Sequence, residues 1–282
     1  YYRWRQLPFA QEQMHAGLLR PDGVAAPGFE EAAQVVRELR SLPAVGAAAT
    51  AVALVFDYAS AWAWETQPQG RAFDYFRLVF HFYRGLRRLG LSVDILSPDC
   101  VDLSPYSLVL APGVMTLEQG LKDALERFQG VALVGPRTNS KTRDFAIPVP
   151  LPPNLEGLDC RVARVESLPP GVRVPLEQGG AFELWHERLE GRGAVAERTA
   201  CGHPAVMKAG GLHYLGGWPD EAALERLLRR ACTERDIEIE PMPEGLRRRD
   251  CASHRFYFNY GPEPIDHSGT TIPAAGVHWT AC

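Results

Sequence analysis

Short runs of uninterrupted apolar residues limit what this chain can fold into more than any other feature. They are Ala-Val-Ala-Leu-Val-Phe at 51–56, Leu-Val-Leu at 108–110 and Val-Ala-Leu-Val at 131–134. A strand with one face in water alternates apolar and polar residues. An unbroken run suits a strand buried on both faces, as in a parallel sheet. Between the runs lie two segments with helical spacing, 73–89 and 117–128, and a short strand at 91–96. Gly90 stands where the first helix needs a left-handed C′ residue, and Gly130 follows the second. The resulting β-α-β-β-α-β order predicts an α/β fold: an open, mostly parallel sheet with helices on both faces.

The flanks read differently. Tyr2-Arg3-Trp4-Arg5 alternates like a strand, Pro8 breaks it, and Pro21-Asp22-Gly23 is a turn signal. Over 28–42 the positions Phe29, Ala32, Ala33, Val36 and Leu39 recur at helical spacing, with Pro43 as the stop and 46–49 as a joint. Short β-like segments follow the sheet region at 161–165, 182–185, 194–196, 205–208 and 212–215, closed by a helix at 220–234. The tail carries short strand patterns at 237–240, 246–249, 255–259 and 276–279 between Gly/Pro turns, the signature of a small antiparallel β-domain.

Several function classes fall away. A net charge of −4 gives none of the basic excess of a nucleic-acid binder. No stretch approaches the ~18–20 consecutive apolar residues of a membrane span. The six cysteines, Cys100, Cys160, Cys201, Cys232, Cys251 and Cys282, form no C-x-x-C pair, so no zinc or redox motif is expected, nor any cofactor, and scattered thiols suit a reducing cytoplasm. The first residues contain no apolar signal segment. The chain opens at Tyr1 without an initiator Met, in what reads as a strand, so a piece of a longer protein is expected.

The chemistry-bearing candidates are few. Glu12-x-x-His15 puts a carboxylate and an imidazole on one side of a helical turn, with Tyr2, Trp4 and Phe9 nearby in sequence. Sugar sites use this mixture of flat apolar wall and charged hydroxyl acceptors. An ordinary surface ion pair uses the same spacing, and spacing alone leaves both readings open. Residues 135–142 end in Lys-Thr, but Ser140 stands where a phosphate loop requires glycine before the lysine. A polar loop ordering a subunit contact or the mouth of a barrel is expected there instead. Phe73, Phe76 and Phe80 read as core. Trp62 and Trp64 fall in an expected loop, where aromatics point to subunit contacts. The runs Arg87-Arg88 and Arg247-Arg248-Arg249 read as solvated surface.

Four strings bear a family resemblance: YYRWRQLPFAQEQMHAGLLRPDG at 1–23, DYASAWAWETQPQG at 57–70, GPRTNSKTRDFAIP at 135–148 and HYLGGW at 213–218. In this order, over nearly the whole chain, they resemble the C-terminal portion of β-galactosidases of glycoside hydrolase family 42. The resemblance implies a retaining hydrolase of terminal non-reducing β-D-galactose residues with a (β/α)8 catalytic barrel. Its acid/base and nucleophile would be two glutamates about 5–5.5 Å apart. Both belong upstream of Tyr1 in such enzymes, as does the family's cysteine zinc site, so no catalytic residue and no metal ligand is expected here.

Residues 1–46 would be the end of the barrel and a connecting helix, 47–236 a trimerisation domain, and 237–282 a C-terminal β-domain. The resemblance assigns Glu12 and His15 to the galactosyl hydroxyls of the innermost subsite, and Phe9 to an aromatic beside it. The trimerisation domain would be flavodoxin-like, resembling class I glutamine amidotransferases. A nucleophilic cysteine on a strand-to-helix elbow would give that chemistry, but the segments after 108–110 and 131–134 carry none. A stand-alone oligomerisation or sugar-binding module without hydrolase activity is the alternative.

Overall fold

The computed structural model describes residues 2–42 and 44–281. The expected proline stop at Pro43 and the sixth thiol, Cys282, lie outside the described residues. The chain divides into two compact units, Tyr1–Ala47 and Ala48–Cys282.

The first unit holds a 3-10 turn, Gln11–Met14, and one helix, α1 (Pro27–Ser41). Proline at the first helical turn is favourable there because its missing N–H would have no intrahelical partner. The strand expected at 2–5 is not formed. The N–H groups of Leu18 and Leu19 donate to the carbonyls of Arg3 (3.1 Å) and Trp4 (2.8 Å), and only a one-residue parallel bridge, Arg5 to Leu19, results. A strand needs a neighbour along its length, and this segment pairs with a tight return of its own chain. Gly17 permits that return, since a β-carbon there would lie 2.6 Å from the Gln6 nitrogen.

In the second unit the apolar runs become β1 (Val52–Val55), β3 (Leu108–Ala111) and β4 (Val131–Val134), and residues 94–96 form β2 (Asp94–Leu96). Later strands are β5 (Arg161–Ser167), β6 (Val174–Pro175), β7 (Ala181–Glu190), β8 (Ala194–Arg198), β9 (Pro204–Ala209), β10 (Leu212–Leu215) and β11 (Gly217–Pro219). A seven-stranded sheet has the order β2-β1-β3-β4-β10-β9-β8. The members from β2 to β10 run parallel, and β9 and β8 extend the sheet antiparallel. The fold is therefore α/β around a mixed sheet.

Period-two alternation sends Val52 and Leu54 to one face, and Ala53 and Val55 to the other, and all four are buried. The first face packs against α2 (Tyr58–Thr66), α3 (Tyr75–Arg88) and α5 (Glu221–Thr233) through Trp64, Leu78, Phe82, Leu224 and Leu228. The second packs against α4 (Gln119–Arg127) through Leu121 and Leu125. Helices thus cover both faces, as the apolar runs require. A smaller antiparallel sheet has the path β11-β7-β5, with β6 also paired to β7. The tail forms a sheet of β12 (Leu246–Asp250), β13 (His254–Asn259) and β16 (Val277–Ala281), beside a hairpin of β14 (Ile265–His267) and β15 (Thr270–Ile272).

Four local expectations are overturned. Residues 58–66 are helix, not loop: Asp57 caps it by accepting from the Ala59 and Ser60 N–H groups, and alanines fill its turns. Positions two apart on a helix face apart, so Trp64 is buried while Trp62 is 65% exposed. The buried stripe of α3 is Tyr75, Leu78, Val79, Phe82 and Leu86, which leaves Phe76 and Phe80 in solvent; Phe73 is buried, but ahead of the helix. Residues 237–240 form no strand, because the Glu240 and Met242 N–H groups donate to the Leu89 and Arg88 carbonyls at the end of α3 rather than to a ladder. Finally, Arg87 and Arg248 are buried rather than solvated. Arg87 donates to the carbonyls of Leu91 and Arg248, and Arg248 pairs with Glu240 (2.7 Å) and Asp250 (2.6 Å).

Candidate functional site

The Glu12-x-x-His15 pair sits on the 3-10 turn of the first unit, with Glu12 inside it and His15 as its C-cap. The His15 N–H donates to the Glu12 carbonyl at 3.2 Å. Tyr2 gathers the two side chains. Its hydroxyl donates to Glu12 Oε2 at 3.0 Å, and its ring meets the His15 imidazole edge-on at 5.9 Å. Arg3 pairs with Glu12 and lies over the Tyr2 ring at 5.0 Å. The Gln6 amide ties down the far end of the turn by donating to the Gln13 carbonyl at 2.6 Å.

Phe9 precedes the turn and is 66% exposed, beside an Ala10 backbone held at φ 69°, a conformation costly for any residue but glycine. The structure thus brings Glu12 and His15 around one tyrosine and presents Phe9 to solvent close by in the chain. Arg3 is the residue the spacing argument missed, and Tyr2, seen there only as a nearby aromatic, also acts through its hydroxyl. Their signal was proximity in sequence to a charged pair, which carries no information about which side chain reaches back.

The two elbows after β3 and β4, where an amidotransferase nucleophile would sit, carry no cysteine. The turn after β3 carries Gly113 in a left-handed conformation, and that after β4 leads into the 135–142 loop. Burial pushes the Cys160 thiol up to about 12 and the Cys232 thiol up to about 11, so both stay protonated at neutral pH. In the 135–142 loop the backbone N–H groups that would cradle a phosphate are largely engaged. The Asn139 N–H donates to the Val114 carbonyl (2.9 Å) and the Lys141 N–H to the Met115 carbonyl (3.0 Å). Thr138 Oγ1 closes the loop by donating to the Ala111 carbonyl at 2.8 Å and accepting from the Gly135 N–H. Among the described residues no group of three or more His, Cys, Asp or Glu side chains is arranged to hold a metal ion.

An aromatic patch lies on the outside of the second unit. Tyr58 is 67% exposed, Trp62 65% and Phe76 64%, and the Phe56 ring links Tyr58 (4.9 Å) to Phe76 (6.0 Å).

Residues 50–238 match the family described as β-galactosidase trimerisation domain, and residues 1–42 match the family described as β-galactosidase. The chain belongs to glycoside hydrolase family 42. Among curated relatives, the β-galactosidase of Thermus thermophilus is 43% identical over 271 residues, which cover 94% of this chain and 42% of that protein. The β-galactosidase of Haloferax lucentense is 33% identical, with the same coverage of both. This family 42 chain therefore spans well under half the length of those relatives.

Among solved structures, the β-galactosidase of the psychrophilic Marinomonas ef1 superposes with a TM-score of 0.93 at 34% identity, covering 99% of this chain and 46% of that one. The enzyme of the Antarctic haloarchaeon Halorubrum lacusprofundi gives 0.90 at 28% identity over 100% and 47% of the two chains. No described helix is long and apolar enough to cross a membrane.

Proposed function

We propose that this chain is the C-terminal portion of a retaining β-galactosidase acting on terminal non-reducing β-D-galactose, with both catalytic glutamates in a preceding segment. The observation that carries the reading is the Glu12–His15 turn. It lies in the part of the chain matched by the β-galactosidase family itself, not in the part matched by the trimerisation domain. Glu12 and His15 accept from and donate to the galactosyl hydroxyls, and Phe9 supplies an apolar wall. These are positioning contacts; they accelerate the reaction to the extent that they tighten in the transition state.

Residues 1–46 then close the barrel, 47–236 form the trimerisation domain and 237–282 the terminal β-domain. The parallel strand order β2-β1-β3-β4-β10 supports a flavodoxin-like, amidotransferase-type scaffold for the middle region. A cyclic homotrimer places the Tyr58–Trp62–Phe76 patch against a neighbouring subunit, where aromatics contribute most. The scattered thiols fit a cytoplasmic enzyme.

The test uses the whole enzyme and this chain side by side. The chain alone leaves a chromogenic β-galactoside intact; turnover by it overturns the placement of the glutamates. In the whole enzyme, Glu12→Ala and His15→Ala each lower kcat/KM by about 1–3 kcal/mol, chiefly through KM. Unchanged kinetics in both remove them from the subsite.

A further inference from the structure

Arg137 is a buried cation with no acceptor for its side chain. It is 4% exposed, and its Nη1 lacks any hydrogen-bond partner among the described residues. Its guanidinium carbon lies 5.0 Å from the Trp185 ring centre, 5.4 Å from that of Trp64 and 5.8 Å from that of Phe73. These π faces attract the cation but accept none of its planar N–H bonds. The nearest candidate counter-ion, Glu187, is already engaged. Its carboxylate accepts from the Tyr214 hydroxyl (2.7 Å), the Trp185 indole (3.0 Å) and the Arg137 backbone N–H (2.9 Å), while no hydrogen bond or ion pair joins it to the guanidinium.

The backbone of Arg137 itself is held at φ 63°, a conformation that costs a non-glycine residue. The two Nη1 donors, buried and unmatched, are expensive unless something outside the described chain accepts them.

Arg137 opens onto a cavity of about 260 Å³. Ser140 Oγ, also buried without a partner, lines it, and Lys141 and the Gln67 side chain border it. Ile147, Leu151, Val162 and Val165 line its sides, and Arg164 and the already engaged Glu187 also border it, so cations outnumber the one carboxylate. The cavity is thus cationic at one end and apolar along its sides.

We propose that this cavity is a carboxylate-binding site centred on Arg137. A carboxylate offers two coplanar oxygens that match two parallel guanidinium N–H groups, the donors that Glu187 leaves without a hydrogen bond. Ser140 donates a further hydrogen bond to it, and the apolar wall receives the attached carbon chain. The carboxylate comes either from a small organic acid or from an Asp or Glu side chain of a second copy of this chain. The second source rests on the oligomer proposed above; the first does not.

The experiment titrates the chain with sodium propionate and sodium hexanoate at constant ionic strength, reading the fluorescence of the tryptophans that flank Arg137 and the melting temperature. Sodium chloride and propionamide are the controls. A saturable response to the carboxylates alone, weakened about tenfold or more in Arg137→Gln, establishes the free-ligand site. Val165→Trp provides a second variant: Val165 is 49% exposed on β5, so the fold survives while the cavity mouth is blocked and the response is lost.

Light scattering of the same proteins reads the other source. A wild-type oligomer that ignores added carboxylate, but dissociates in both variants, assigns the carboxylate to a neighbouring copy. A monomeric wild type that binds carboxylate keeps the site and discards the oligomer. Equal responses to chloride or propionamide, or variants that match wild type in both readouts, overturn the proposal.

Discussion

The two units of this chain differ in whether they can bury aromatic side chains. In the first, Tyr2, Trp4 and Phe9 are all more than 60% exposed, and Ala32 is the one buried residue among those described. In the second, Trp64, Phe73, Tyr75, Phe82, Phe182, Trp185 and Trp218 are buried in one cluster against the sheet. Composition does not separate the units; the presence of a surface to pack against does. On the proposed reading, the rings of the first unit face a barrel that precedes this chain, and a sugar. The buried rings of the second have their partners within the chain, and on the same reading its exposed Tyr58–Trp62–Phe76 patch meets a neighbouring subunit.

The widest break between the units is a matched pair of truncations. Phe82→Ala, at a position fully shielded from solvent, costs about 3–5 kcal/mol in urea unfolding of this chain. Phe9→Ala in the same chain changes stability by about 0.5 kcal/mol or less. Equal costs would erase the distinction between a packed core and an unpartnered surface.

Acid sharpens the comparison next. Burial lowers the pKa of His81, His186 and His213, all in the second unit. A group held below its unfolded value of about 6.5 binds fewer protons when folded. The stability it contributes is therefore complete above that value and is lost as pH falls from there toward the folded values. A second loss follows at lower pH. Glu166, held at about 2 chiefly by its bond from Arg164 and also by His186, contributes stability above its unfolded value of about 4.3 that disappears as pH falls toward about 2. Melting curves of the chain should show a downward step on going from pH 7 to 5 and another below 4.3; a flat profile contradicts the neutral buried imidazoles.

Helix capping gives the smallest effects, with opposite signs. Asp74 caps α3 by accepting from the Arg77 N–H at 2.7 Å, and Asp74→Ala costs about 1 kcal/mol. The N-cap of α1 is Ala26, with no side-chain bond to the helix, so Ala26→Ser adds about 0.5 kcal/mol or more to α1, read as slower amide exchange there. Loss of protection in Ala26→Ser would place the limit on α1 elsewhere than its cap.

How much was legible follows the range of the interactions. Continuous apolar runs specified the parallel strands because a doubly buried strand tolerates no polar alternation. The end of α3 was legible because Gly90 takes φ 77°, a left-handed conformation that favours glycine; that a β-carbon there would also collide with the Glu240 carbonyl was not. The helix at 58–66 was hidden because its two tryptophans lie two apart and fall on different faces, and its cap, Asp57, is a single residue. In the candidate site, Glu12 and His15 were visible as a spaced pair, but the Tyr2 hydroxyl between them was not, since ten residues separate it from Glu12 and no periodicity links them.

By itself the sequence determined the α/β architecture, the two-sided burial of the central strands, the absence of a thiol at either elbow and the family resemblance later met by the matches over 1–42 and 50–238. Those properties depend on residue identity and local spacing. Tertiary structure alone decided which of two aromatic stripes on α3 is buried, that Arg87 and Arg248 leave the surface, and that Arg137 is enclosed by three rings with its donors unmatched. Each of these depends on which distant segments meet, and a contact between residues tens of positions apart leaves no periodic mark in the chain that makes it.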